Sequence, residues 1–118
     1  DHLDFIRGGK DYFETDTEIF VHGFLRPQVP VDHEHSQWLR WSRFEPTGQP
    51  HASGKRVICG HTAQSGGRPA VDRGYLCLDT CAYCPRGALS ALDVGGDVIW
   101  QATQAGELRE ARPLSEVL

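Results

Sequence analysis

Two histidines are the residues of this chain best placed to do chemistry. His22 closes the run Ile19-Phe20-Val21, and His61 stands one residue beyond Val57-Ile58-Cys59. Both runs are apolar and rich in β-branched or aromatic side chains, so each predicts a buried strand that ends on or beside an imidazole. A strand end followed by a loop holds a side chain rigidly while letting it project into a crevice. Two neutral imidazoles delivered this way can share one divalent metal. The same spacing also fits two unrelated histidines, one of them satisfied by a backbone carbonyl.

The four cysteines are the other chemically versatile residues. Cys59 and Cys77 fall inside apolar runs and read as small buried hydrophobes. Cys81-Ala82-Tyr83-Cys84 has the spacing of half a zinc knuckle or of a redox motif. A structural zinc site wants a second pair, and a thioredoxin-like site wants a different βαβ context, so neither reading stands well on this string alone.

The elements that must position these residues are short. Residues 3–13 carry apolar side chains at helix-like intervals, interrupted by Gly8 and Gly9. Thr17 to Val21 predicts a strand, and a Pro-bearing loop follows it. Asp32 is a candidate cap for a short helix over 33–42. Residues 45–54 read as loop, Lys55 to Cys59 as the next strand, and Tyr75 to Leu78 as another, with a glycine-rich connection between them. Two alternating runs on either side of Gly95-Gly96 predict a hairpin. The charged tail from Gly106 onward reads as peripheral. The expected fold is a β-rich α/β domain with a mixed sheet and at most two short helices. Nothing in the chain looks large enough to cover such a sheet, which suggests a missing half and exposed edges prone to self-association.

Composition narrows the function classes. A net charge of −4 gives no electrostatic reason to expect nucleic acid as the main partner. No apolar run approaches the ~18 residues of a membrane span. The chain starts without methionine or a basic and apolar leader. It therefore reads as a cytoplasmic protein without its N-terminal part.

Three strings then combine in one order. ETDTEIFVHG (14–23) resembles the ETD-x-x-IFVHA segment of bacterial serine/threonine phosphoprotein phosphatases, which are calcineurin-like metallophosphoesterases. SGKRVICGHTAQ (53–64) resembles their SGK-x-VV-x-GHTPQ segment. The string from Leu78 to Ala102 resembles DTGAYCGG-x-LTALDL…G-x-V-x-Q-A. The likeness covers roughly residues 10–105. It implies the C-terminal half of the metallophosphoesterase α/β sandwich and a two-metal phosphoric ester hydrolase. It also implies His22 and His61 as ligands of the second metal, and Arg43, or else Arg40, as a grip on substrate phosphate. Tyr83 would line the site, and Asp79 would play a structural hydrogen-bonding role. The implied metals are manganese, iron or zinc. The implied substrates are a phosphorylated protein, a dinucleoside polyphosphate or a small phosphate ester.

The departures from that pattern bear on the same conclusion. Gly23-Phe24 stands where Ala-Gly is common, Cys81 and Pro85 replace frequent glycines, and Ala63 rather than histidine follows Thr62. The motifs GD-x-HG, GD-x-x-DRG and GNH, which supply the other metal and a general acid, are absent from these residues. The Asp72-Arg73-Gly74 string is not one of them. Two histidines and solvent make a weak metal site, so these 118 residues alone are not expected to turn over substrate. The competing reading is a non-catalytic scaffold or binding module with the same fold.

Overall fold

A computed structural model describes all residues, 1–118. It contains two sheets and two short helices. The first sheet has the order β1-β2-β3-β5-β4, built from Tyr12–Glu14, Glu18–Val21, Arg56–Cys59, Tyr75–Cys77 and Ala70–Asp72 respectively. Strands β2, β3 and β5 run parallel, with Phe20 opposite Ile58 and Cys59 opposite Cys77. Strands β1 and β4 flank them antiparallel. The second sheet is an antiparallel meander of β6 (Leu89–Asp93), β7 (Val98–Ala102) and β8 (Leu108–Pro113). Helix α1 is His2–Arg7 and helix α2 is Ser36–Trp41.

The three parallel strands are the centre of the molecule because both of their faces are apolar. On one face Ile19, Val21, Val57, Cys59, Tyr75 and Cys77 pack beneath Phe24, Leu25, Val31, Leu39 and Phe44. On the other, Ile58 and Leu76 meet Ile99, Leu114 and Val117 from the second sheet and its closing turn. Each fully buried aliphatic side chain stabilises the fold by about 1.5–3 kcal/mol. The expectation that nothing in the chain can cover the sheet is therefore corrected. One face is roofed by the segment 24–44, which includes helix α2 and contributes Phe24, Leu25, Val31, Leu39 and Phe44, and the other by the β6–β8 meander. No helix is long and apolar enough to cross a membrane.

Other sequence expectations need adjusting. The helix expected over residues 3–13 stops at Arg7. It begins with a capping box between Asp1 and Asp4, buries no side chain, and gives way at Gly8-Gly9. Tyr12–Glu14 instead pairs with β2, where its backbone gains ladder hydrogen bonds that a glycine-broken helix lacks. Helix α2 starts after His35, not Asp32, which lies in a 3-10 turn at Val31–His33. Asp72-Arg73-Gly74 enters a two-residue hairpin turn joining β4 to β5. Arg73 and Gly74 both take positive φ, the backbone such tight hairpins require. The charged tail is not merely peripheral. Residues 108–113 form β8, and Arg109 Nη1 donates to the buried Gln101 Oε1 at 3.0 Å.

Candidate functional site: a histidine pair at the strand ends

Parallel strands that share a register also share an end. His22 follows β2 directly, Gly60 and His61 follow β3, and Leu78 and Asp79 follow β5, so their side chains gather at one edge of the sheet. Gly60 N–H donates to the His22 carbonyl at 2.9 Å, and Gln64 N–H donates to the Asp79 carbonyl at 2.8 Å. The ring centroids of His22 and His61 lie 5.1 Å apart in an edge-to-face arrangement. The two histidines that spacing put on separate strand ends are thus neighbours in space.

His61 is presented by strained backbone. Its φ is 63°, and Thr62 N–H donates to the Gly60 carbonyl at 2.6 Å, which makes His61 the apex of a three-residue γ-turn. Such a conformation costs about 1–3 kcal/mol and persists only where its surroundings fix it. Here the surroundings do. Thr62 Oγ1 accepts from Phe44 N–H at 2.7 Å, and the Thr62 carbonyl accepts from Gln64 Nε2 at 2.7 Å and from the Cys77 thiol at 3.4 Å. The Cys77 thiol also reaches the Gly60 carbonyl at 3.6 Å. As expected, Cys59 and Cys77 are buried, and they face each other across the strand pair. The adjacent Cys77 thiol, together with burial, pushes the Cys59 thiol up.

Helix α2 closes the other side. Gly23 N–H donates to the Leu39 carbonyl at 2.6 Å, so the residue after His22 is seated against the last turn of the helix. A Cβ on Gly23 would stand 2.8 Å from the Ser42 carbonyl oxygen and 3.0 Å from that of Leu39. This close approach carries Trp41 to the site, where its ring packs edge-on against His61 at 5.9 Å while remaining 68% exposed. A groove of about 560 Å³, lined by Phe13, Phe20, His22, Arg40 and Trp41 among others, opens beside the pair. Trp41 and Gly23 are the residues that sequence reasoning passed over as site-builders. Their only signal was an aromatic residue beside an arginine, and a glycine directly after the histidine.

The two arginines differ in their surroundings. Arg40 is committed to Asp11, with Nε at 2.7 Å from Oδ1, and also reaches the Gly9 carbonyl. That hydrogen bond, with a second from Ser36, holds the Asp11 carboxyl below its usual range. Arg43 is exposed and in no ion pair, and it immediately precedes the Phe44 amide that bonds Thr62, so it borders the His61 turn. Asp79 Oδ1 accepts from Cys81 N–H at 3.1 Å, the kind of structural hydrogen bond expected of it. Tyr83 is 72% exposed and makes no ring or hydrogen-bond contact with the histidines.

Cys81 and Cys84 are joined by a disulfide. That corrects the zinc-knuckle alternative, because bonded sulfurs have no thiolate to give a metal. His22 and His61 bring two imidazole rings side by side. No group of three His, Cys, Asp or Glu side chains gathers anywhere to hold a metal ion. Chemically, the strand ends offer two neighbouring imidazoles, with the exposed Arg43 one residue before the amide that bonds Thr62.

The fold and this edge define a mixed-sheet α/β domain with a histidine pair at the carboxyl ends of its parallel strands. Comparison with known proteins finds no matching family model, no matching curated protein and no matching solved structure.

Proposed function

We propose that this chain is the C-terminal portion of a metallophosphoesterase domain and supplies part of the active site of a metal-dependent phosphoric ester hydrolase. The observation that carries the reading is the approach of His22 and His61, 5.1 Å between ring centroids, from the ends of two parallel strands. Two further features support it. His61 occupies a strained turn fixed by three surrounding groups, the Phe44 amide, Gln64 and Cys77, which a surface histidine has no need of. Arg43 borders that turn with its charge unspent.

In this reading His22 and His61 hold one divalent ion, with manganese the first candidate, through neutral imidazoles. The remaining ligands come from polypeptide outside these 118 residues. The ions, when bound, supply Lewis acidity toward water and phosphoryl oxygen. The chain's own residues do the positioning. Arg43 offers a planar, permanently charged donor to two phosphate oxygens. Trp41 covers one side of His61, and Tyr83 is assigned to the rim by the resemblance alone. Substrates of the class are phosphorylated proteins, dinucleoside polyphosphates or small phosphate esters.

The test is manganese-dependent hydrolysis of p-nitrophenyl phosphate by this chain alone and by the same chain joined to its upstream polypeptide. Activity confined to the longer protein, and lost on His22→Ala or His61→Ala, supports the proposal. A longer protein without activity that keeps a tight partner would favour the scaffold reading.

A further inference from the structure

The Cys81–Cys84 disulfide closes a turn that does not depend on it. Cys81 N–H is bonded to Asp79 Oδ1 at 3.1 Å. Cys84 N–H donates to the Cys81 carbonyl, Gly87 N–H to the Cys84 carbonyl, and Ala88 N–H to the Thr80 carbonyl, all at 2.9–3.0 Å. Thr80 Oγ1 adds a bond to the Ala88 carbonyl. Gly87 sits so tightly on the Cys81 carbonyl oxygen that a Cβ there would lie 1.6 Å from it. A disulfide spanning two residues also removes less unfolded-chain entropy than one closing a longer loop. Reduction therefore leaves both sulfurs side by side in a folded turn.

The two sulfurs are not equivalent. Cys81 is 1% exposed, whereas Cys84 is half-buried and lines a surface cavity of about 480 Å³. Arg86 and Arg109 line the same cavity, opposed by Glu107. Arg86 is exposed and has no carboxylate partner, and Arg109 donates only to the neutral amide of Gln101. Positive charge beside a cysteine favours its thiolate and draws anionic thiols toward it.

We propose that Cys81 and Cys84 are a redox-active dithiol site, entered at Cys84 by an anionic low-molecular-weight thiol of the glutathione class. The incoming thiolate attacks Cys84 Sγ, forming a mixed disulfide, and the Cys84–Cys81 bond breaks with Cys81 leaving as a thiolate that takes up a proton. A second thiol then attacks the sulfur of the thiol reagent. Cys84 is released as its thiol, and the two reagent molecules depart as their own disulfide. Two electrons and two protons pass to the protein, and the reverse sequence restores the bond.

The experiment equilibrates the native chain with mixtures of reduced and oxidised glutathione, quenches with acid, alkylates and weighs the products. A single reversible two-electron transition is expected at Cys81 and Cys84, with near-ultraviolet circular dichroism unchanged and Cys59 and Cys77 unmodified. In Cys81→Ser, oxidised glutathione should cap Cys84. Arg86→Ala should slow attack by glutathione about threefold while leaving attack by uncharged β-mercaptoethanol nearly constant. The proposal is overturned if the bond survives until denaturant unfolds the chain, or if reduction itself unfolds it. Equal slowing of both thiols by Arg86→Ala also overturns it. None of these readouts requires a metal or phosphate hydrolysis, so they stand or fall apart from the phosphoesterase reading.

Discussion

Replacing Gly23 with alanine tests whether the contact between β2 and α2 builds the histidine site. The added Cβ would stand 2.8 Å from the Ser42 oxygen and 3.0 Å from the Leu39 oxygen and the Arg40 carbonyl carbon. All three are backbone atoms, so no side chain can swing aside. Inserting a methyl into such a contact costs about 1–3 kcal/mol. Alanine also restricts the unfolded chain, which returns about 0.4–1 kcal/mol. The net loss is then about 0–2.6 kcal/mol, centred on ~1.3 kcal/mol, taking the difference of those two ranges. Urea unfolding followed by tryptophan fluorescence would read it as a lower midpoint at constant slope. Gly66 is the control, because a Cβ there meets nothing within 4 Å and the backbone does not need positive φ. Gly66→Ala should be neutral or stabilising. A Gly23→Ala protein as stable as the parent would refute the reasoning. It would mean that the helix end can withdraw from His22 freely, and the placement of Trp41 and Arg43 would lose its physical basis.

Three further outcomes follow from the same geometry. Thr62→Val removes the acceptor of the Phe44 amide in a buried setting, and should cost about 1–3 kcal/mol in urea unfolding. Tyr75→Phe should raise the urea midpoint, because the buried Tyr75 hydroxyl has no hydrogen-bond partner and burial already pushes its pKa up. The Glu34 carboxyl is held below its usual value first by its two hydrogen bonds from Arg26, at 2.7 and 2.9 Å. A depressed acid stabilises fully above its unfolded value, 4.5, and loses that contribution as pH falls from there through the folded value. The urea midpoint of the parent should therefore fall in acid more steeply than that of Glu34→Gln, measured from pH 7 to pH 3.

The strands that carry the site were legible because they are buried on both faces. Ile19 to Val21, Val57 to Cys59 and Tyr75 to Cys77 are continuous apolar runs, and each ends where chemistry-bearing residues begin. The β6–β7 hairpin was legible from its alternation around Gly95-Gly96. The edge strands were not. Tyr12–Glu14 and Ala70–Asp72 are three residues each and gain strand character only from their neighbours. In β8, Arg109 and Arg112 turn toward Gln101, so no apolar alternation marks the strand. The proximity of His22 to His61 could be anticipated from two strand ends. The packing of Trp41 on His61 could not, because it depends on how closely a glycine lets a helix approach a strand. The Cys81–Cys84 bond was likewise only one of several chemistries that its spacing permits.

The most direct test of the histidine pair is a manganese titration of the chain, followed by paramagnetic broadening of its imidazole proton signals. The chain has six histidines, so the assignment itself discriminates. If His22 and His61 share one ion, their signals broaden together at low manganese, ahead of His2, His33, His35 and His51, and His61→Ala abolishes the broadening at His22. Broadening that begins at His33 and His35, or a His22 signal indifferent to the loss of His61, would contradict a shared ion.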